Sequence, residues 1–203
     1  MTQNEIEAKF YIQNLSAVEK KLRAMGAELH IPRVHEINLR FDTPDHSLTS
    51  QRRVLRLRQD SEAVLTYKGP SDRSQEVSVR EEIEVRVSSF DTTRKILEAL
   101  GYELSVMYEK ERTTYLFLNT TVTLDEMPYG TFIEIEGPDA DTIHKVAQVL
   151  GLNWEARCAE SYLMLFDQLR SRKQLKAANL SFADFQGLQI SAEDLGLRPA
   201  DQA

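Results

Sequence analysis

The pentapeptide E-I-E-A-K at Glu5 to Lys9 places two carboxylates and an ammonium at every second position. On a β-strand these residues share one face while Ile6, Ala8 and Phe10 share the other, because side chains alternate with period two. The carboxylate pair returns as Glu82 and Glu84 in R-E-E-I-E-V, and as Glu134 and Glu136 in F-I-E-I-E. The same parity sets Arg56 and Arg58 against Leu55 and Leu57, Lys68 against Tyr67, and Arg80 and Arg86 on the face of Glu82 and Glu84. Sign is sorted by strand: Arg56, Arg58, Lys68, Lys110 and Arg112 make basic rows, while Glu5, Glu7, Glu134 and Glu136 make acidic ones. A solvated face interleaves its charges, so sorted rows imply a site with two poles.

Carboxylates held a few Å apart repel by about 4 kcal/mol per pair at an effective dielectric near 20, so the acidic rows call for a cation. Glutamates and aspartates with a single cysteine and four scattered histidines suit a hard ion such as Mg2+ or Mn2+ rather than zinc. Arginines and lysines on several rows suit an elongated polyanion, since guanidinium forks grip phosphate oxygens bidentately. A metal-chelated polyphosphate answers both poles.

The elements that must position these rows are strands. Alternation is found over 4–12, 35–42, 53–59, 63–68, 76–87, 108–118, 121–126 and 131–136. Helical periodicity marks Ser16 to Met25, opened by a Ser16/Glu19 capping box, then Asp91 to Leu100 and Ala140 to Leu150, with glycines at 26, 101 and 151 as stops. A fourth amphipathic helix is expected within 157–176. The expected fold class is α+β: a closed eight-stranded antiparallel β-barrel with a charged lumen, a tunnel with helices packed on its outside. An open sheet turning its charges to bulk water is the alternative, and the sorted sign argues against it. Residues 1–176 are read as one domain including a closing C-terminal helix, and 177–203 as a partly docked tail with a frayed polar end.

The chain has 203 residues, 41% hydrophobic and 28% charged, which suits an ordinary globular domain. A net charge of −7 argues against nucleic acid as partner. No apolar run approaches the roughly 18 residues of a membrane span, and the first residues lack signal-peptide regions, so no membrane partner and a cytoplasmic location are expected. Cys158 is read as a small buried residue. His30, His35, His46 and His144 lack metal-ligand spacing and are read as ordinary residues, Trp154 as packing, and Arg73 as part of an exposed loop. The stretch D-T-P-D-H-S-L is read as a turn.

The N-terminal E-I-E-A-K resembles the ExExK signature of the CYTH superfamily, the triphosphate tunnel metalloenzymes. N-L-R-F-D-T-P, V-L-R-L-R, L-T-Y-K-G-P, R-E-E-I-E-V, Y-E-K-E-R-T-T-Y, V-T-L-D-E and G-T-F-I-E-I-E-G follow the family's order, and S-Y-L-M-L at Ser161 to Leu165 resembles its closing helix. Arg40 stands where a D-x-Y-F type stretch commonly has its aromatic.

The resemblance implies that Glu5, Glu7, Asp125, Glu134 and Glu136 surround a divalent metal, and that Lys9, Arg40, Arg56, Arg58, Lys68, Lys110 and Arg112 hold phosphate. It places Glu7, Lys68 and Glu136 in catalysis, and Arg80, Glu82 and Glu84 in the lumen. The implied activity is metal-dependent hydrolysis of a phosphoanhydride in tripolyphosphate, ATP or another triphosphate, by a monomer or homodimer. Cyclisation of ATP to cyclic AMP and pyrophosphate is the alternative, and a non-catalytic polyphosphate-binding module the second.

Overall fold

The computed structural model describes residues 3–70 and 77–202, so Arg73 lies outside the described residues. Eight antiparallel strands carry the fold: β1 (Gln3–Ile12), β2 (Glu28–Asp42), β3 (Val54–Gln59), β4 (Ala63–Lys68), β5 (Ser78–Val87), β6 (Glu103–Phe117), β7 (Thr120–Met127) and β8 (Gly130–Glu136). They pair in the order β1-β5-β4-β3-β2-β6-β7-β8, and β8 returns to β1 with Glu7 opposite Glu136 and Lys9 opposite Glu134, which closes the ring.

Three helices lie on the outer apolar face or its rim: α1 (Leu15–Ala24), α3 (Phe90–Ala99) and α4 (Ala140–Leu150), while α2 (Ser47–Ser50) is a single turn. Ile143, Val146, Ala147 and Leu150 of α4 and Val18 and Leu22 of α1 are buried with Phe10, Ile12, Ile133 and Ile135 of the strands. Leu97 of α3 covers Leu39, Phe41 and Leu57. A third cluster joins α5 (Tyr162–Lys173) and the tail to Phe132 and Tyr108. Among the described residues, no helix is long and apolar enough to cross a membrane.

Four boundaries differ from the sequence-based expectation. β2 and β6 each span 15 residues: β2 continues upstream to Glu28, paired with Leu116, and β6 begins at Glu103, paired with Asp42. The ladder shifts register around Pro32, between Ile31 and Val34, where a residue without an amide proton interrupts both pairing and alternation.

The Ser16/Glu19 capping box does not form. Asn14 caps α1 by accepting from the Ala17 amide at 3.0 Å, and Glu19 instead accepts from the Tyr115 hydroxyl at 2.7 Å. A capping box does form between Ser191 and Asp194, at the start of α6 (Ala192–Leu195). The fourth helix is shorter than 157–176, since Arg157 bridges to Phe10 and Ser161 is the N-cap. Asp42 turns the turn at D-T-P-D-H-S-L into α2 by accepting from the Leu48 and Thr49 amides.

The tail is held at several points rather than frayed. The Leu180 amide donates to Met107 and its carbonyl accepts from Glu109, both at 3.0 Å. The Ala200 amide donates to Tyr11, and the Asp201 carboxylate accepts from the Gln13 and Asn14 amides.

Candidate functional site

The inward positions of the ring line a cavity of about 450 Å³. Glu5, Glu7 and Lys9 enter it from β1, Arg56 and Arg58 from β3, Lys68 from β4, Arg80, Glu82 and Glu84 from β5, and Glu134 and Glu136 from β8. Arg40 of β2 and Lys110 and Arg112 of β6 complete the expected set. Ser161, Tyr162 and Leu163 face it from the start of α5. Arg86, on the parity of Glu84, is exposed and pairs with Glu62 at 3.0 Å outside the cavity. The volume falls in the range of small-molecule sites, roughly 300–1,000 Å³.

Asp125 is placed differently from its expected partners. It is completely buried beneath the cavity wall, where its two oxygens accept from Arg112 at 2.6 and 2.5 Å, Lys110 at 3.2 Å and the Tyr162 hydroxyl at 2.8 Å. Burial opposes its charge, but Arg112 and Lys110 together hold its carboxyl well below the usual range. Arg112 also donates to Glu134 at 2.6 Å, so β6, β7, β8 and α5 meet at one salt-bridged knot.

Sequence reasoning missed a second buried acid. Glu36 is 1% exposed, lies 3.5 Å from Lys110 and 4.0 Å from Arg58, and accepts from Asn38 at 2.8 Å. Burial opposes its ionisation, yet Lys110, Arg112 and Arg56 hold its pKa down to about 2. The signal was present: Glu36, Asn38 and Arg40 alternate in E-I-N-L-R as the other inward rows do. Tyr108 shares the parity of Lys110 and Arg112 and was legible in the same way. Tyr162 had no such signal, since a helix-borne residue reaches the site only through packing.

Like charges remain crowded at both poles. Burial first, then Glu134 and Glu5, push Glu7 up to about 7. Glu136 is raised by burial, Glu5 and Glu82, and Glu82 by burial and Glu5. Glu5 is the exception, because Lys68 donates to both its oxygens at 2.6 and 2.5 Å and, against the effect of burial, lowers its pKa. On the basic side, burial and then Arg56 and Arg80 push Arg40 below its ordinary value, while burial and Arg56 lower Arg80.

Among the described residues, no three His, Cys, Asp or Glu side chains already converge as a finished metal site, because Lys68 draws Glu5 aside and Arg112 draws Glu134. The donor chemistry nonetheless fits a hard cation: oxygen ligands gathered on neighbouring strands, with the proton affinity of Glu7 and Glu136 raised where positive charge is short.

The remaining residues lie apart from the cavity. Trp154 stacks on His144 at 4.4 Å and lies under Arg157 at 4.1 Å, and Cys158 is buried at 6% exposure. His35 contacts Glu111 at 3.0 Å.

Residues 3–153 match the CYTH domain family. The protein MJ0240 of Methanocaldococcus jannaschii, which carries an adenylate cyclase name, is 28% identical over 144 residues, covering 70% of this chain and 81% of its own. Adenylate cyclase CyaB of Aeromonas hydrophila is 29% identical over 136 residues, covering 64% of this chain and 67% of its own. Among solved structures, PH1819 of Pyrococcus horikoshii superposes with a TM-score of 0.66 at 28% identity, covering 80% of this chain and 97% of its own. HpAC1 of Hippeastrum, described with a dominant triphosphatase activity, superposes at 0.60 and 21% identity over 80% of this chain and 95% of its own, a likeness of fold.

Proposed function

The chain belongs to the CYTH domain family, and on that premise we propose that it is a divalent-metal-dependent triphosphatase, cleaving a phosphoanhydride of tripolyphosphate or an organic triphosphate. The observation that carries this reading is the pairing of two poles in one cavity, each crowded with like charge, so that a cation and a polyanion together relieve both.

In this reading Glu5, Glu7, Glu134 and Glu136 would hold Mg2+ or Mn2+. Bound there, the ion would supply charge neutralisation and Lewis acidity. Lys9, Arg56, Arg58, Lys110 and Arg112 orient the phosphate oxygens and stabilise the charge that shifts during transfer, which is mainly positioning and electrostatics. Asp125 and Glu36 contribute from behind the wall, holding Arg112 and Lys110 in place, since their own oxygens already accept from these and neighbouring donors. Lys68 bridges Glu5 and Glu82, at 2.5 and 3.3 Å, and so links the two poles.

Cyclisation of ATP is the second reading, supported by the adenylate cyclase names of the two curated relatives. It needs recognition of adenine. Trp154 is engaged by His144 and Arg157 outside the cavity, and Lys9 sits 4.4 Å over the Tyr162 ring. Product analysis with Mg2+ or Mn2+ decides: the triphosphatase releases orthophosphate from tripolyphosphate and shows little preference among nucleoside triphosphates. Cyclic AMP and pyrophosphate formed in equal amounts from ATP, faster than orthophosphate, would overturn the reading.

A further inference from the structure

Two strands of the ring outrun their neighbours near α5. The β1–β5 register ends at Glu7 and the β6–β7 register at Glu111. The amides and carbonyls of β1 after Glu7, and of β6 before Glu111, therefore need other partners on those sides. The segment after α5, which lies beyond the residues 3–153 of the family match, supplies partners to both.

On β6, the Leu180 amide donates to the Met107 carbonyl and the Leu180 carbonyl accepts from the Glu109 amide, both at 3.0 Å. Asn179 Oδ1 accepts from the Met107 amide at 3.1 Å, and the Glu109 carboxylate accepts from the Phe182 amide at 2.9 Å. On β1, the Cys158 amide takes the Lys9 carbonyl at 2.7 Å and the Ala200 amide takes the Tyr11 carbonyl at 2.9 Å. The Asp201 carboxylate then accepts from the Gln13 and Asn14 amides at 2.9 and 2.7 Å. Between these two anchors the segment is fastened to α5: Lys173 lies 2.8 Å from Asp194, and Leu180, Phe185 and Leu195 are buried with Phe166 and Leu169.

Each anchored element carries a side chain of the cavity. Tyr108, bridged to Leu180 at its backbone, lines the cavity and is a hydrogen-bond partner of Arg56. Lys9 enters from the stretch of β1 that β5 does not reach. Tyr162, at the start of α5, bonds Asp125 at 2.8 Å, and its ring lies 4.4 Å from the Lys9 ammonium.

We propose that residues 177–202 are a strap that completes the ring near α5 and, by tying β6, α5 and β1 together, positions Tyr108, Tyr162 and Lys9 from outside the cavity. Leu180 and Asp201 are its positioning residues, and neither is among the residues that line the cavity. The effect on turnover rests on the triphosphatase reading, whereas the mechanical coupling does not. A strap has a property that separate contacts lack: released at one end, it loosens at the other. Substitutions at distant sites without a shared partner ordinarily add, so a failure of additivity is its signature.

The test uses the full chain as wild type, Asp201→Ala, Asp201→Asn, Leu180→Ala and the Asp201→Ala/Leu180→Ala double variant. The first readout is amide hydrogen exchange in the metal-free protein. In Asp201→Ala the Gln13 and Asn14 amides lose their acceptor directly. The strap predicts that the Leu180 and Glu109 amides at the opposite anchor also exchange about tenfold faster, while the β3–β4 ladder keeps its rates. The second readout is tripolyphosphate turnover with Mg2+. Either single alanine variant is expected to lower kcat by about tenfold, with less change in KM, since misplaced groups cost rate. The double variant is expected to fall little further, and Asp201→Asn, which keeps one acceptor oxygen, to recover most of the loss. If Leu180→Ala does not fold, Asn179→Ala takes its place at the β6 anchor. Unchanged exchange at Leu180 and Glu109 in Asp201→Ala, an increase shared equally by the β3–β4 ladder, or losses of kcat that multiply in the double variant would each overturn the strap. A wild type that neither binds nor cleaves tripolyphosphate overturns the triphosphatase reading instead, and the exchange rates still decide the strap.

Discussion

Glu7 carries the clearest consequence of crowding. Its folded pKa of about 7 lies above the ordinary value of 4.5, so between those values the metal-free folded state binds a proton that the unfolded chain has lost. Stability from this group is therefore present below about pH 4.5 and lost as pH rises through about 7, by something on the order of 1–3 kcal/mol. Glu36 and Asp125 do not disturb that window, since both are depressed and their contributions are lost only in stronger acid. Melting curves in chelator should show a falling midpoint from pH 5 to pH 8, and Glu7→Gln should flatten the slope while abolishing metal-dependent turnover. A wild-type midpoint that rises across the window would show that Glu7 is not crowded. Asp125 tests the opposite case: Asp125→Ala removes the counter-charge that Arg112 and Lys110 share, leaving them only Glu134 and Glu36, and should cost about 3–5 kcal/mol in denaturant unfolding. A loss under 1 kcal/mol would make the knot decorative. The inward rows were legible at this scale because parity is a local property. Whether a carboxylate meets a cation or another carboxylate was not, since that depends on which strands become neighbours.

The elements show where local signals mislead. Ser16 and Glu19 have the spacing of a capping box, yet the chain enters α1 two residues earlier, through Asn14, because the Asp201 carboxylate meets the Gln13 and Asn14 amides there and Glu19 is taken by Tyr115. Asn14→Ala should therefore lower stability by about 0.5–2 kcal/mol while Ser16→Ala changes little. Equal losses in chemical denaturation would restore the Ser16 box. Helix α5 is tied to the site by the Tyr162 hydroxyl on Asp125, and it packs with Leu180, Phe185 and Leu195 of the tail. Tyr162→Phe removes one donor from a buried carboxylate and should cost about 1–3 kcal/mol. An unchanged midpoint in the same assay would place α5 on the barrel by apolar packing alone.

At the scale of the whole molecule, ring closure is what makes the charge rows into a site. β1 supplies Glu7 and β8 Glu136 as direct neighbours, although 129 positions separate them in the chain. A triphosphate with Mg2+ should stabilise the fold through both poles together, raising the unfolding free energy by about 2.7 kcal/mol when the ligand stands at one hundred times its Kd. Thermal shift with metal alone, triphosphate alone and both measures this. Equal shifts for the combination and for either component would contradict a joint site. Metal affinity should also rise with pH through about 7, because binding displaces the Glu7 proton.

The sequence by itself determined the strands, their inward rows and the two signs of charge, because alternation with period two and the choice of Glu or Arg are written residue by residue. Its ordered motifs determined the family. The tertiary structure decided which charges are compensated: Asp125 and Glu36 among their cations, Glu7 against Glu136, and Arg40 opposite Arg56 without a carboxylate. It also decided that Tyr162 and the tail close around the barrel. The physical reason is that a charge's energy depends on distances across the ring, set by strand order and register, and neither is carried by any single stretch of the chain.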